Sequence, residues 1–109
     1  MEKRTFRRVG CNFQSLMKKV DEDKADASKT AINDISEGGV RLSSKHAVSF
    51  SDQFYITLKV SFWKMVEAAV QPVWVHWVPE RRQYEIGARF LYLNNDDRDY
   101  IRGYVSGRL

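Results

Sequence analysis

Along Gln53-Phe54-Tyr55-Ile56-Thr57-Leu58-Lys59-Val60-Ser61-Phe62, the apolar residues Phe54, Ile56, Leu58, Val60 and Phe62 alternate with Gln53, Tyr55, Thr57, Lys59 and Ser61. A period of two in a run rich in aromatic and β-branched residues predicts a strand with one buried face. Tyr84 to Tyr92 repeats the pattern, setting Tyr84, Ile86, Ala88, Phe90 and Tyr92 against Glu85, Gly87 and Arg89. Met65 to Val78 lies between these runs, and Gln71 and Pro72 break its alternation as a bulge or an edge position would. It reads as one long, bent strand. Val9, Cys11 and Phe13 alternate upstream, and Thr30 to Ile35 and Gly39 to Ser43 are two short strands around Ser36-Glu37-Gly38. The polar stretch Asp21 to Lys29 is a turn.

The last segment changes period. Asn94 or Asn95 can cap a helix, Asp96 and Asp97 suit its positive end, and Tyr100, Ile101, Tyr104 and Val105 form an apolar stripe, which predicts a helix over residues 95–106. Six short strands and one helix in 109 residues imply a six-stranded antiparallel β-barrel with a C-terminal α-helix, because closure removes unpaired edges. At 43% apolar content the chain, residues 1–109, suits one domain with its own core.

Composition narrows the function classes. Eighteen Lys plus Arg against 14 Asp plus Glu leave a formal charge of +4, which favours an anionic partner but is too sparse to coat a long nucleic acid. The single cysteine, Cys11, has no internal partner for a disulfide, so a reducing, cytoplasmic setting is expected. His46 and His76 lie far apart, which argues against a metal site, and no nucleophile with its base can be assembled, which argues against an enzyme. Met1-Glu2-Lys3 leads into no apolar run, so neither a signal peptide nor insertion into a membrane is expected.

Two short stretches carry recognisable chemistry. Lys3-Arg4-Thr5-Phe6-Arg7-Arg8 places four cations in six positions, a flexible basic arm over residues 1–9. The guanidiniums of Arg4 and Arg8 can fork onto guanine O6 and N7, grip a phosphate with two hydrogen bonds, or stack on a base. Alone, the run also fits a solvated terminus. In Asn33-Asp34-Ile35-Ser36-Glu37-Gly38-Gly39 the Asp34 carboxylate would repel a phosphate but suits the N1–H and N2–H2 donors of guanine. Ser36 can donate to a phosphate oxygen or a base edge, and Gly38 and Gly39 permit positive φ and a close approach of ligand to backbone. Alone, this too fits an ordinary strand-turn-strand. Trp77, three residues after Trp74, is a candidate stacking surface for a base.

Together, Arg4 and Arg8 as RxxxR and Asp34, Ser36 and Gly39 as DxSxxG resemble the PilZ family of cyclic di-GMP receptor domains. Tyr84-Glu85-Ile86-Gly87-Ala88-Arg89-Phe90 is similar to that family's late GxxF strand, so the resemblance spans nearly the whole chain. It implies a barrel whose N-terminal arm folds over one surface when cyclic di-GMP arrives. Arg4 and Arg8 would clasp guanine and phosphate, Asp34 and Ser36 would read the base edge and sugar-phosphate, and Gly38 and Gly39 would give room. Lys3 would bear on how many ligands bind and whether protomers pair, and Arg7 would reach a second nucleotide or only solvent. No cofactor is implied beyond the ligand. The expected protein is a non-catalytic sensor, monomeric or dimerising with ligand, that signals to a downstream protein partner and does not bind DNA or RNA. Its rivals are a ligand-free interaction module in a motility or envelope complex and a small barrel on single-stranded nucleic acid; a steep salt dependence would mark the latter.

Overall fold

The computed structural model describes residues 7–21 and 27–107. Within them lie six strands and one helix: β1 (Val9–Lys19), β2 (Ser28–Ile35), β3 (Gly39–Ser44), β4 (Phe54–Ser61), β5 (Lys64–Val78), β6 (Gln83–Leu93) and α1 (Asn95–Val105). Every pairing is antiparallel, and the strands close into a barrel in the order β1-β2-β3-β6-β5-β4. The inward-facing set supplies the core: Ile32 and Leu42 from β2 and β3, Ile56 and Leu58 from β4, Val66 and Val70 from β5, and Ile86 from β6 are fully buried. Ile101 and Val105 of α1 join the same cluster, and Tyr104 stacks at a tilt on Phe13, ring centroids 5.4 Å apart.

Three expectations need correction. Phe62 does not face the core: β4 ends at Ser61, and Phe62 and Trp63 form the turn into β5, 88% and 85% exposed. Tyr92 is 65% exposed while Leu93 is buried. The cause is a register shift between Ala69↔Tyr92 and Val70↔Phe90, where Leu91 is an extra residue that reverses the facing of everything after it. Val9, assigned to the arm, already pairs with Ile35 as the first residue of β1.

The break expected at Gln71-Pro72 is a second bulge: Pro72 pairs with Ala88 and Trp74 with Gly87, leaving Val73 between them. Val73 and Trp74 therefore both lie at the surface, and the indole is aimed across β6.

Asn94 caps the helix. Its side-chain oxygen accepts from Asp97 N at 2.8 Å while its amide donates to Asp97 Oδ2 at 3.1 Å, a reciprocal arrangement that satisfies an orphan donor of the first turn. Asp97 is buried and also accepts from Lys64 Nζ at 2.7 Å, which fixes the helix to the start of β5. Ser106 is the C-cap rather than a helical residue.

Candidate functional site

The turn between β2 and β3 is built by Ser36. Its Oγ accepts from Gly38 N at 3.1 Å and Gly39 N at 3.2 Å, while its own N–H donates to Gly39 O at 2.9 Å. Such side-chain bonding to the backbone two and three residues on is what draws serine into turns. The strand that follows approaches β6 closely: a Cβ on Gly39 would run into the carbonyl oxygen of Ala88, and Phe90 N donates to Gly38 O at 2.9 Å. Neither glycine takes positive φ, so the expected left-handed backbone is absent there; among the described residues it occurs at Arg82 and Gly107. Gly39 is needed for strand approach.

Immediately before this turn, Asp34 projects from β2 between two guanidiniums. Arg8 Nε and Nη2 donate to Asp34 Oδ1 at 3.1 and 2.8 Å, and Arg41 Nε donates to Oδ2 at 2.7 Å. Arg41 faces Asp34 in the β2–β3 register and reaches diagonally to β6, where Nη1 donates to Glu85 Oε1 at 2.9 Å. Its hydrogen bond to Asp34 is the main reason the Arg41 guanidinium is held above its ordinary range. Cys11 lies beside this cluster, its Sγ donating to Ile32 O at 3.6 Å; burial first, and the negative charge of Asp34 second, push its thiol up from 9.0 to about 11.

Next to the ion pairs is a groove of about 200 Å³ lined by Arg8, Ser36, Gly38, Gly39, Trp74, Gly87 and Arg89 among others. A Cβ on Gly87 would fall on the Trp74 indole, so the indole lies directly on that glycine. Arg89, exposed on β6, donates through Nη2 to Gln71 Oε1 at 3.0 Å. The turn, Arg8, an aromatic face and a second guanidinium thus share one patch of the barrel's outer wall. Of the expected site residues, Arg8, Ser36, Gly38 and Gly39 line the groove and Asp34 holds Arg8 beside it. Trp77 does not line it: it stands farther along β5 against Tyr84, ring centroids 4.8 Å apart. Arg7 is exposed, and Lys3 and Arg4 lie outside the described residues.

A model of the PilZ domain matches residues 2–107. The chain belongs to the PilZ domain family. Among curated proteins none matches it. Solved structures with the same fold include the PilZ domain of Escherichia coli YcgR with c-di-GMP, with TM-score 0.74 and 13% identity, covering 97% of this chain and 91% of that one. The inhibitor of motility MotI/DgrA of Bacillus subtilis aligns with TM-score 0.80 at 12% identity over 99% of this chain and 52% of that one. The MrkH–c-di-GMP complex of K. pneumonia gives TM-score 0.76 and 17% identity over 98% and 52%. The chain spans about half the length of MotI/DgrA and of MrkH. Among the described residues of this PilZ domain, no helix is long and apolar enough to cross a membrane, and no three His, Cys, Asp or Glu side chains are placed to hold a metal.

The sequence alone does not assign Arg41, beside the groove, to the site, and it ranks Trp74, in the groove's lining, below Trp77 as a stacking ring. Arg41 would have emerged from counting the hairpin register across Ser36 to Gly39, which sets it opposite Asp34. For Trp74 the signal is a tryptophan paired with a glycine, since a residue without Cβ leaves room for an indole above it.

Proposed function

We propose that this PilZ domain is a receptor for cyclic di-GMP that binds the dinucleotide in the groove beside Arg8 and Trp74 and passes the event to a protein partner. The observation that carries it is the placement of Arg8, the Ser36–Gly39 turn and the Trp74 face around one opening, in a chain whose relatives YcgR and MrkH have been solved with c-di-GMP. Arg8 supplies a bidentate grip for a phosphate or for guanine O6 and N7, the indole offers a stacking face, and Arg89 adds positive charge beside it. Nothing in this set activates a nucleophile, which suits binding rather than turnover.

At about 200 Å³ the groove is smaller than the roughly 300–1,000 Å³ of small-molecule pockets. Lys3 and Arg4 complete it in this reading: the dianion draws the arm over the groove, and the altered surface is what a partner reads. Residues 1–109, arm and barrel together, then work as one signalling unit in the cytoplasm, as a monomer or as a pair formed on ligand.

Calorimetry with cyclic di-GMP and with GMP tests the reading. The unsubstituted protein binds the dinucleotide, GMP competes poorly, and Arg4→Ala, Arg8→Ala and Asp34→Ala each weaken binding by about 1–3 kcal/mol. No heat from the unsubstituted protein would exclude a receptor and leave the domain as an interaction module.

A further inference from the structure

Arg41 and Glu85 fall outside both the RxxxR and the DxSxxG patterns, yet they complete an unbroken chain of charge. Arg8 donates to Asp34 Oδ1, Arg41 donates to Asp34 Oδ2 at 2.7 Å and to Glu85 Oε1 at 2.9 Å, and Arg81 stands 3.9 Å from the same Glu85 oxygen. Asp34 and Glu85 are well shielded side chains, 14% and 19% exposed, so neither charge can be left unpaired cheaply. If Arg8 leaves Asp34 for a phosphate, Asp34 loses one of its two cations.

We propose that Arg41, braced by Glu85, is a positioning residue that lets Arg8 be handed over from Asp34 to the ligand. It rests on the receptor reading above and adds the way the site exchanges partners. In the ligand-free protein Arg8 and Arg41 share Asp34, one oxygen each. When the dianion arrives, Arg8 turns its fork to phosphate. Asp34 Oδ1 becomes free to accept from the donor edge of a guanine, while Oδ2 stays on Arg41, so the carboxylate remains paired and correctly aimed throughout. No covalent bond or proton moves. Glu85 prevents Arg41 from following Arg8 to the ligand, because Nη1 is held on β6. A guanidinium is required, since one ammonium cannot span Asp34 and Glu85 with two directed donors.

The test pairs two measurements on the full chain carrying Arg41→Gln, Arg41→Lys or Glu85→Gln. Calorimetry reads cyclic di-GMP affinity. The 13Cβ shift of Cys11 against pH reads the local charge balance without ligand, because Asp34 raises and Arg41 lowers the thiol's pKa. Arg41→Gln is expected to weaken binding about tenfold or more, as loss of a charge-assisted hydrogen bond would, and to raise the Cys11 midpoint. Arg41→Lys, which keeps the charge and guards against a folding defect, restores the midpoint and only part of the affinity. Glu85→Gln weakens binding less than Arg41→Gln. If Arg41→Gln raises the Cys11 midpoint yet binds within about twofold of the unsubstituted protein, the hand-over is overturned and the receptor reading stands. The hand-over is overturned as well if Arg41→Gln moves neither the affinity nor the midpoint. If the unsubstituted protein takes up no ligand, the receptor reading and the hand-over fall together, while the midpoint shift still reports whether the clamp exists.

Discussion

Substituting Gly87 with Ala puts a methyl group where the Trp74 indole now lies, since the added Cβ would fall on its Nε1, Cε2 and Cδ1 atoms. The obstacle is a side chain rather than backbone, and Trp74 is 37% exposed on the outer wall, so the indole can swing off β6 toward solvent. The barrel survives, at a cost below the roughly 1–3 kcal/mol of overpacking a closed core. The groove loses its aromatic face. If that face stacks on a guanine, the loss is about 1–3 kcal/mol, or about 5- to 150-fold in cyclic di-GMP affinity. Trp74→Ala removes the same face without any clash and should match Gly87→Ala, whereas Trp77→Ala should stay within about twofold, its indole being spent on Tyr84. Calorimetry, with thermal melts to confirm folding, separates the three. Normal affinity in both Gly87→Ala and Trp74→Ala would show that the indole takes no part in binding, and a loss confined to Trp77→Ala would return the stacking role to that residue.

Gly39→Ala meets backbone instead, the Ala88 carbonyl oxygen with Arg89 Cα 3.0 Å away, so nothing can swing aside; a loss of about 3 kcal/mol or more is expected, read as a melting temperature lower by about 12 °C or more and well below that of Gly87→Ala. Arg82 closes the β5–β6 hairpin at φ 51°, and Arg82→Gly should stabilise by about 0.5–1 kcal/mol through relief of the left-handed strain, measured in urea; an unchanged or lower midpoint would count against it. Alkaline pH should destabilise the fold. The Cys11 thiol is raised by burial to about 11 and the Tyr104 phenol is raised by burial, so above its ordinary value of 9.0 the unfolded Cys11 loses its proton before the folded one does. Lys64, raised by its hydrogen bond to Asp97, likewise contributes stability below the ordinary lysine range that fades as pH climbs through its folded value. All three carry the same sign, so stability falls from about pH 9 upward, the thiol's share between 9.0 and about 11 and those of Tyr104 and Lys64 above their ordinary values of 10.0 and 10.5, and Cys11→Ala should flatten the first part of that slope in denaturant titrations at stepped pH; identical slopes would remove the thiol's share.

The barrel was legible because an inward and an outward face impose a period of two, and β4 and β6 display it directly. The errors fall where a partner strand, not the strand itself, decides. Phe62 continues the alternation on paper, but the chain turns after Ser61 and the ring goes to solvent. Tyr92 continues it too, until Leu91 is counted as an extra residue opposite the Ala69–Val70 step. A bulge is a relation between two strands, and one strand's pattern holds no trace of where its neighbour skips a residue. Pro72 was the exception, since a residue without a backbone donor announces a disrupted ladder by itself.

The same division governs the site. Asp34, Ser36 and Gly39 are close in sequence, and their proximity in space follows from one turn. Their tasks, however, differ from those that spacing suggests. Ser36 spends its hydroxyl on the amides of Gly38 and Gly39, and Gly39 exists for the carbonyl of Ala88, so neither is free to define a ligand by itself. What they do is hold the end of β2 so that Asp34 meets Arg8 from one side and Arg41 from the other. Under the proposed function the groups left to supply affinity are Arg8, Arg89 and the Trp74 indole, with Arg41 positioning Arg8 and Asp34, and Arg41, Trp74 and Arg89 come from β3, β5 and β6, joined only by register. In this chain the motif therefore marks the turn and the end of β2 more fully than the wall of the groove, and that wall is read by following paired residues across the barrel from Asp34 to Arg41 to Gly87 to Trp74.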